Sequence, residues 1–322
     1  MTLLLNINVE TDFAQAVSLL QAGELVAVPT ETVYGLAADA RQPKAVSSIF
    51  AAKNRPANHP LIVHIGEMAQ LDDWAIDIPS AARQLVRQFW PGPLTLILRK
   101  APCVNSIVTG GHDTVALRMP AHPALLDLLK RSGLALAAPS ANPHKRLSPT
   151  SAHQVMDTMA GKIAAVLDGG ECSLGIESTI LDFSAETPRV LRPGPITASE
   201  LAEHLGSAVT RPNHHHLPVP GNLPEHYRPR TPVRLKTAHE IMQNTDYPVV
   251  RLMLSPRQAY PKHNDEFLRV MPQAKPLYAQ QLYRTLHEAD QMAACEIWVE
   301  LPPASEQWSD VYDRLLRASG GS

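Results

Sequence analysis

Glu24-Leu-Val-Ala-Val-Pro-Thr-Glu-Thr-Val-Tyr-Gly35 reads as a short buried strand that stops at a proline and empties into a polar loop. The uncharged run after Glu24 has strand length, and Pro29 cannot donate to a ladder. Thr30 and Thr32 stand two apart, so an extended chain aims both hydroxyls the same way, with the Glu31 carboxylate between them. A second reading of the loop is a polar turn in which Glu31 and Thr32 cap a helix. The same layout recurs at Leu134-Ala-Leu-Ala-Ala-Pro-Ser-Ala-Asn-Pro143, where an apolar strand delivers Ser140 and Asn142, again closed by proline. Small residues there let a ligand approach the backbone, although an Asx-type turn reads alike. Ser148, before Pro149, adds another hydroxyl to that connection.

Between these two stretches lies Lys53-Asn-Arg55-Pro56. Pro56 biases Arg55 away from helical geometry, so an extended Lys53–Arg55 pair would set two cations on one side. Such a pair suits a triphosphate: arginine forks onto phosphate oxygens and lysine acts as a compact charge. A solvated helix C-terminus, where basic residues are favoured, is the competing reading.

Around these loops, short apolar runs alternate with amphipathic stretches. Helices are expected over Gln15–Gln21, Ala45–Ala52, Ala81–Trp90 and Ala124–Arg131. Strands are expected over Glu24–Pro29, Leu61–Ile65, Leu94–Leu98, Val115–Met119, Leu134–Ala138, Ile163–Leu167, Ser178–Phe183 and Arg189–Arg192. This is an α/β layer pattern. The stretch Thr210–Pro232 holds six prolines and reads as an extended linker. Beyond it a strand at Pro248–Leu254, a helix at Leu277–Ala289, a strand at Glu296–Leu301 and a helix at Ser309–Ala318 make a smaller α/β unit. The expected division is 1–208, 209–232 and 233–322.

Composition narrows the function. The 322 residues carry a formal net charge of -2 and only 5% aromatics, which disfavours a dedicated nucleic-acid reader. The 29 prolines, about twice the usual share of about 5%, fix loops and strand ends. Cys103, Cys172 and Cys295 form no CxxC and read as reduced thiols. No apolar run approaches the roughly 20 residues needed to cross a bilayer, and no secretory signal is seen, so a soluble cytoplasmic protein is expected. Neither GxxxxGK[ST] nor GxGxxG occurs, nor GxSxG, nor HExxH, and no protein metal site is expected. His214–His216 is read as a solvated tract.

His64, Arg118, Ser178 and Arg192 each stand at or in an apolar strand. One such residue is ordinary: a core histidine or a surface arginine. Several on different strands are expected to meet where one sheet brings its strand ends to one edge, in a crevice.

The segments PTETVYGL (Pro29–Leu36), KNRP (Lys53–Pro56), PLIVHI (Pro60–Ile65), WPGPLT (Trp90–Thr95), TVALRMPAHP (Thr114–Pro123), APSAN (Ala138–Asn142), GIESTI (Gly175–Ile180) and LRPGP (Leu191–Pro195) together resemble the threonylcarbamoyl-AMP synthase family. The resemblance covers about residues 5–206 in order. The proline-rich linker with His226-Tyr227 and the second α/β unit look like the long, two-domain form. The resemblance implies a twisted YrdC-like α/β domain with an open basic cavity, followed by a smaller Rossmann-like α/β domain. It implies L-threonylcarbamoyladenylate synthesis from L-threonine, bicarbonate or CO2, and ATP, with Mg2+. The product would pass to a transferase that modifies tRNA, with only weak direct tRNA contact and no membrane. On this resemblance Lys53 and Arg55 are catalytic and hold the ATP phosphates. Thr109, Ser140, Asn142, Ser148, Arg192 and Tyr227 lie on the nucleotide side, with Tyr227 closing over the cavity. Thr30, His64, Arg118 and Ser178 hold threonine or its carbamate. Two stretches depart from the family pattern: the linker reads Gly221-Asn-Leu-Pro-Glu-His-Tyr-Arg-Pro229, and the usual glycine-rich turn is replaced by PPASEQW (Pro302–Trp308). The rival reading is a non-catalytic RNA-binding module using the same basic cavity.

Overall fold

The computed structural model describes residues 1–212, 217–221, 225–254 and 267–320; the His214–His216 tract lies outside the described residues. The first unit contains β1 (Leu3–Asn6), α1 (Glu10–Gln21), β2 (Val26–Val28), β3 (Gly35–Asp39), α2 (Pro43–Lys53), β4 (Ile62–His64), α3 (Leu71–Trp74), α4 (Ser80–Phe89) and β5 (Leu94–Arg99). It continues with α5 (Ser106–Thr109), β6 (Thr114–Arg118), α6 (Pro123–Ser132), β7 (Leu136–Ala137), α7 (Ala152–Met159), β8 (Ala165–Asp168), β9 (Thr179–Asp182), β10 (Arg189–Arg192) and α8 (Ala198–Leu205). The second unit holds β11 (Val233–Lys236), β12 (Val249–Met253), β13 (Leu268–Val270), α9 (Lys275–Gln291), β14 (Glu296–Glu300) and α10 (Ser309–Ala318).

The first unit is one ten-stranded mixed sheet in the order β1-β8-β2-β3-β7-β4-β6-β5-β9-β10. Its two halves are covered differently. In the half from β1 to β7, alternate side chains pack under α1 and α6 on one face and under α2 on the other. Strands buried on both faces read as continuous apolar runs, which is why β2 and β7 stand out in the sequence.

In the half from β4 to β10, Leu61, Val63, Leu96, Leu98, Val115 and Leu117 turn to the helices. Their neighbours Ile62, Ile97, Ala116, Ile180 and Leu191 face the other way. Among the described residues no helix packs on them there; Leu217 and Val219, from the segment before β11, do. Strand alternation thus leaves one sheet face free of helices, and the site is built on that face. The expected crevice at a common edge of strand ends is not what forms. β7 runs antiparallel to β4, so its exit toward Ser140 lies by the start of β4 and not beside His64.

The second unit is a four-stranded, all-parallel sheet, β11-β14-β12-β13, flanked by α9 and α10. Its core takes in Val33, Leu147 and Ile176 of the first unit. The PPASEQW segment carries Trp308, buried against Tyr278, and Glu306, which accepts hydrogen bonds from Ser199 at the start of α8. Cys103, Cys172 and Cys295 are free thiols.

Candidate active site

Thr30 folds the loop after β2 back on itself. Its hydroxyl donates to the Val33 carbonyl (2.7 Å) and accepts from the Thr32 and Val33 amides. The Thr30 and Thr32 hydroxyls lie 2.8 Å apart, as their spacing predicts. No helix follows, since β3 begins at Gly35, so the helix-cap reading of Glu31 and Thr32 is not realised. Both residues instead engage Arg118. Its Nη2 lies 2.6 Å from Glu31 Oε1 and its Nη1 donates to Thr32 Oγ1 (2.9 Å). Nε donates to the Gly92 carbonyl (3.2 Å).

Lys53 is the last residue of α2, followed by Asn54 in the left-handed conformation (φ 51, ψ 50). The pair is therefore not extended; the left-handed turn between them redirects the chain before Arg55. Nor is Lys53 solvated: it is buried, and its Nζ donates to the carbonyls of Ser140 and Asn142 (2.5 Å to the latter). Arg55 lines the cavity and donates to the Pro60 carbonyl (3.0 Å). Neither cation forms an ion pair with a carboxylate among the described residues. Burial, with Arg55 adding repulsion, holds the Lys53 ammonium well below its ordinary range. Burial lowers Arg55 to about 10. A buried Lys53 and a half-buried Arg55 with no carboxylate partner are costly, and an incoming polyanion relieves that cost.

On the other side, Ser178 shares a hydrogen bond with Thr95 (2.7 Å) and accepts from Arg192 Nη2 (3.0 Å). A β-bulge between Val190 and Arg192 turns Arg192 to the same face as Leu191. Arg192 also donates to the Pro220 carbonyl (3.1 Å), tying the sheet to the covering segment. Ser148 donates to Glu177 Oε1 (2.6 Å). Asn142 Nδ2 donates to the carbonyls of Pro143 and Arg146. Thr109 does not join this group. Its hydroxyl donates to the Ser106 carbonyl within its own short helix (3.3 Å), and it is not part of the cavity wall.

Thr30, His64, Arg118, Ser140, Ser178, Arg192, Arg55 and Tyr227 surround one cavity, together with Glu31's neighbour Thr32, Glu177, Gly221 and His226. Three polar atoms of this wall are buried without a partner: Arg55 Nε, His64 Nδ1 and His226 Nδ1. Unpaired buried polar groups are rare in folded proteins, and three around one cavity mark a ligand's place; Asn142 and Ser148, like Lys53, lie outside the wall. The enclosed volume is only ≈ 50 Å³, far below the roughly 300 Å³ at which ligand sites begin. Tyr227, part of the wall, is 1% exposed and in the left-handed region at φ 58, an uncommon conformation for a bulky residue.

Gly221 makes room for the Tyr227 hydroxyl. It sits at φ +83, and a Cβ there would fall 2.0 Å from the Tyr227 hydroxyl. Gly221→Ala is expected to hold the tyrosine off the cavity. Left-handed strain alone costs about 1–2 kcal/mol, so kcat/KM for ATP should fall about tenfold. Steady-state kinetics check this, with the melting temperature as the fold control.

His64 is neutral in this environment: burial, then Arg118, lowers it to about 3. The unfolded chain takes up this proton near the ordinary value of about 6.5 while the folded chain does not, so its contribution to stability falls as pH drops from there toward 3. The slope is about 1.4 kcal/mol per pH unit for one such group. Substituting His64→Gln should flatten the acid limb of a stability-versus-pH curve by one proton's worth, as urea denaturation at pH 4 to 7 would read.

The site thus holds Arg55 on the cavity wall with Lys53 behind the Ser140–Asn142 loop, and the Arg118 guanidinium beside Thr32. Comparison with known proteins gives the family. A family model described as "Telomere recombination" (Sua5, YciO and YrdC) matches residues 18–194. A second, "Threonylcarbamoyl-AMP synthase, C-terminal domain", matches residues 196–320. Threonylcarbamoyl-AMP synthase of Pyrococcus abyssi is 44% identical over 241 residues, 72% of this chain and 71% of the relative. The Bacillus subtilis protein of the same name is 43% identical over 232 residues, 70% of this chain and 67% of the relative. The crystal structure of P. abyssi Sua5 complexed with L-threonine superposes with a TM-score of 0.90 at 34% identity, covering 100% of this chain and 98% of that one. The chain belongs to the threonylcarbamoyl-AMP synthase family, in its two-domain form.

Proposed function

We propose that this chain joins L-threonine, bicarbonate and ATP into threonylcarbamoyl-AMP, with release of pyrophosphate, to supply a tRNA modification. The observation that carries the reading is the pair of cations Lys53, buried, and Arg55, on the cavity wall, neither ion-paired to a carboxylate among the described residues, beside unpaired polar atoms of that cavity. The threonine amine adds to the carbon of bicarbonate, or of dissolved CO2, giving a carbamate; from bicarbonate one water leaves. A carbamate oxygen then attacks the α-phosphorus as the bond to pyrophosphate breaks. Such a transfer needs positioning and charge neutralisation and no covalent nucleophile.

In this reading Arg118 receives the threonine carboxylate, and Thr30, His64 and Ser178 hold threonine or its carbamate. Arg55 meets the triphosphate, with Lys53 adding charge from behind the Ser140–Asn142 loop. Ser140, Asn142, Ser148 and Arg192 shape the nucleotide wall. Among the described residues no group of three or more His, Cys, Asp or Glu is placed to hold a metal. Glu177 on the cavity wall and Glu31 beside Arg118 are already paired with arginines. These donors do not fit a resident Mg2+; magnesium belongs with ATP, as part of the substrate.

The division into a catalytic part (1–208), a linker (209–232) and a C-terminal part (233–322) belongs to this proposal. So does the linker's work as a lid: with ≈ 50 Å³ enclosed, substrates enter only when Tyr227 moves aside. A transferase that accepts the adenylate, and a cytoplasmic setting, complete the reading; no helix among the described residues is long and apolar enough to cross a membrane. Membership of a synthase family favours this over an RNA-binding module. The test is pyrophosphate release from ATP and bicarbonate with and without L-threonine. Threonine-dependent release is expected; salt-sensitive RNA binding without turnover would sink the proposal.

A further inference from the structure

The second unit reaches the site through one side chain. Arg314, on α10, is 1% exposed, and every nitrogen of its guanidinium has a partner. Nε donates to Glu177 Oε2 (2.8 Å), Nη2 to the Pro193 carbonyl (3.1 Å) and Nη1 to Asp313 Oδ2 (2.7 Å). The guanidinium carbon lies 5.2 Å from the centre of the Tyr227 ring, within range for a cation–π contact. One residue thus touches the loop before β9, the Pro-Gly turn after β10 and the tyrosine of the cavity wall.

Glu177 gathers the same parts from the other side. Its Oε2 also accepts from Tyr283 of α9 (3.0 Å), and its Oε1 accepts from Ser148 (2.6 Å). It lines the cavity and directly precedes Ser178, whose carbonyl and hydroxyl take Arg192. Burial would raise the Glu177 carboxyl, but Arg314 and then Arg192 outweigh it and hold it below its usual range.

Cohesion between the units does not require this charge. Val33, Leu147 and Ile176 enter the apolar core of the second unit. Gly175 seats so closely on α9 that a Cβ would fall 2.4 Å from the Gln280 carbonyl oxygen. A buried ion pair is often no more stabilising than well-packed apolar residues of the same size. What it adds over them is direction: a planar fork fixes where Glu177 and Pro193 sit relative to the Tyr227 ring.

We propose that Arg314 is a positioning residue for the adenylation step, by which the C-terminal unit sets the nucleotide-side wall and the seat of Tyr227. This rests on the reaction proposed above. The test uses the full chain with Arg314→Met, Arg314→Lys, Tyr283→Phe, Glu177→Gln and the Arg314→Met/Glu177→Gln double variant. The readouts are melting temperature, and kcat and KM for ATP and for threonine separately. Misplacement of this kind costs up to about 100-fold, so kcat/KM for ATP should fall about 10- to 100-fold in Arg314→Met. KM for threonine should stay within about threefold, Arg314→Lys should recover only part of the loss, and adding Arg314→Met to Glu177→Gln should cost little more.

Should Arg314→Met not fold, Tyr283→Phe removes one donor to Glu177 without touching charge, and a selective loss in kcat/KM for ATP is expected there as well. Wild-type kinetics in folded Arg314→Met, or in Tyr283→Phe where Arg314→Met does not fold, overturns the inference alone. So does an equal rise of both KM values with lowered stability, the mark of a merely structural arginine. Absence of turnover in the unmodified chain removes the reaction and this inference together.

Discussion

Arg118→Gln is expected to abolish threonine-dependent turnover and to destabilise the fold in the same stroke. Its guanidinium and the Glu31 carboxylate are both almost fully buried, with side-chain exposures of 4% and 7%, and lie 2.6 Å apart. Removing one member of such a pair leaves a buried charge unmatched and costs about 3–5 kcal/mol. Function is lost for a different reason. Contacts to Glu31, Thr32 and Gly92 engage three of the donors of Arg118, and a guanidinium carries five. In the proposed function the remainder takes a second carboxylate, that of threonine, in a fixed direction. Loss of one contact aimed at the reacting substrate costs about 10²–10³ in rate. The two effects separate in the Glu31→Gln/Arg118→Gln double variant, which no longer carries the stranded carboxylate. Its melting temperature should return toward that of the unmodified chain while pyrophosphate release stays at least about 10²-fold down. Recovery of both together would mean that Arg118 serves only the fold.

How far the sequence carries depends on whether a feature is local. The runs at Glu24–Pro29 and Leu94–Leu98 were legible because burial on both faces writes a nearly unbroken apolar run, and β2 and β5 lie there; Val115–Met119 and Arg189–Arg192, where β6 and β10 lie, were legible from shorter apolar stretches ending at or holding an arginine. β3, Gly-Leu-Ala-Ala-Asp, was not foreseen: its small residues have little strand preference, and it is extended because β2 and β7 pair with it on either side. In the second unit the strands at Val249–Met253 and Glu296–Glu300 and the two long helices were legible for the same local reasons. At the site, the paired hydroxyls of Thr30 and Thr32 followed from spacing. Glu177 was missed, since nothing near it in the chain announces that its partner is Arg314, 137 positions on. Arg192 was singled out and lines the cavity, yet alternation alone would have turned it to the face of Val190; the bulge that redirects it leaves no mark in a single sequence. Lys53 and Arg55 were paired for a geometry that the left-handed Asn54 excludes.

That corrected geometry separates two cations that sequence alone treats alike, and their substitutions should part company. Arg55→Ala removes a guanidinium that lines the cavity and donates to the Pro60 carbonyl. The fold should be little affected, and kcat/KM for ATP should fall about 10²–10³-fold, the loss of one preorganised cation at the phosphates. Lys53→Ala should lose a similar factor, but by another route as well. Its ammonium bridges the carbonyls of Ser140 and Asn142 from a buried position. Without it two buried acceptors lose their donor, at about 1–3 kcal/mol each, and the loop that presents Ser140 is freed. Lys53→Ala is therefore expected to lower the melting temperature and to weaken ATP binding beyond the charge effect, whereas Arg55→Ala acts on the nucleotide with the fold intact. Calorimetric titration with ATP beside thermal unfolding reads both. Unchanged pyrophosphate release in the two variants would remove the phosphate assignment, and an Arg55→Ala protein that unfolds as readily as Lys53→Ala would remove the division of labour between them.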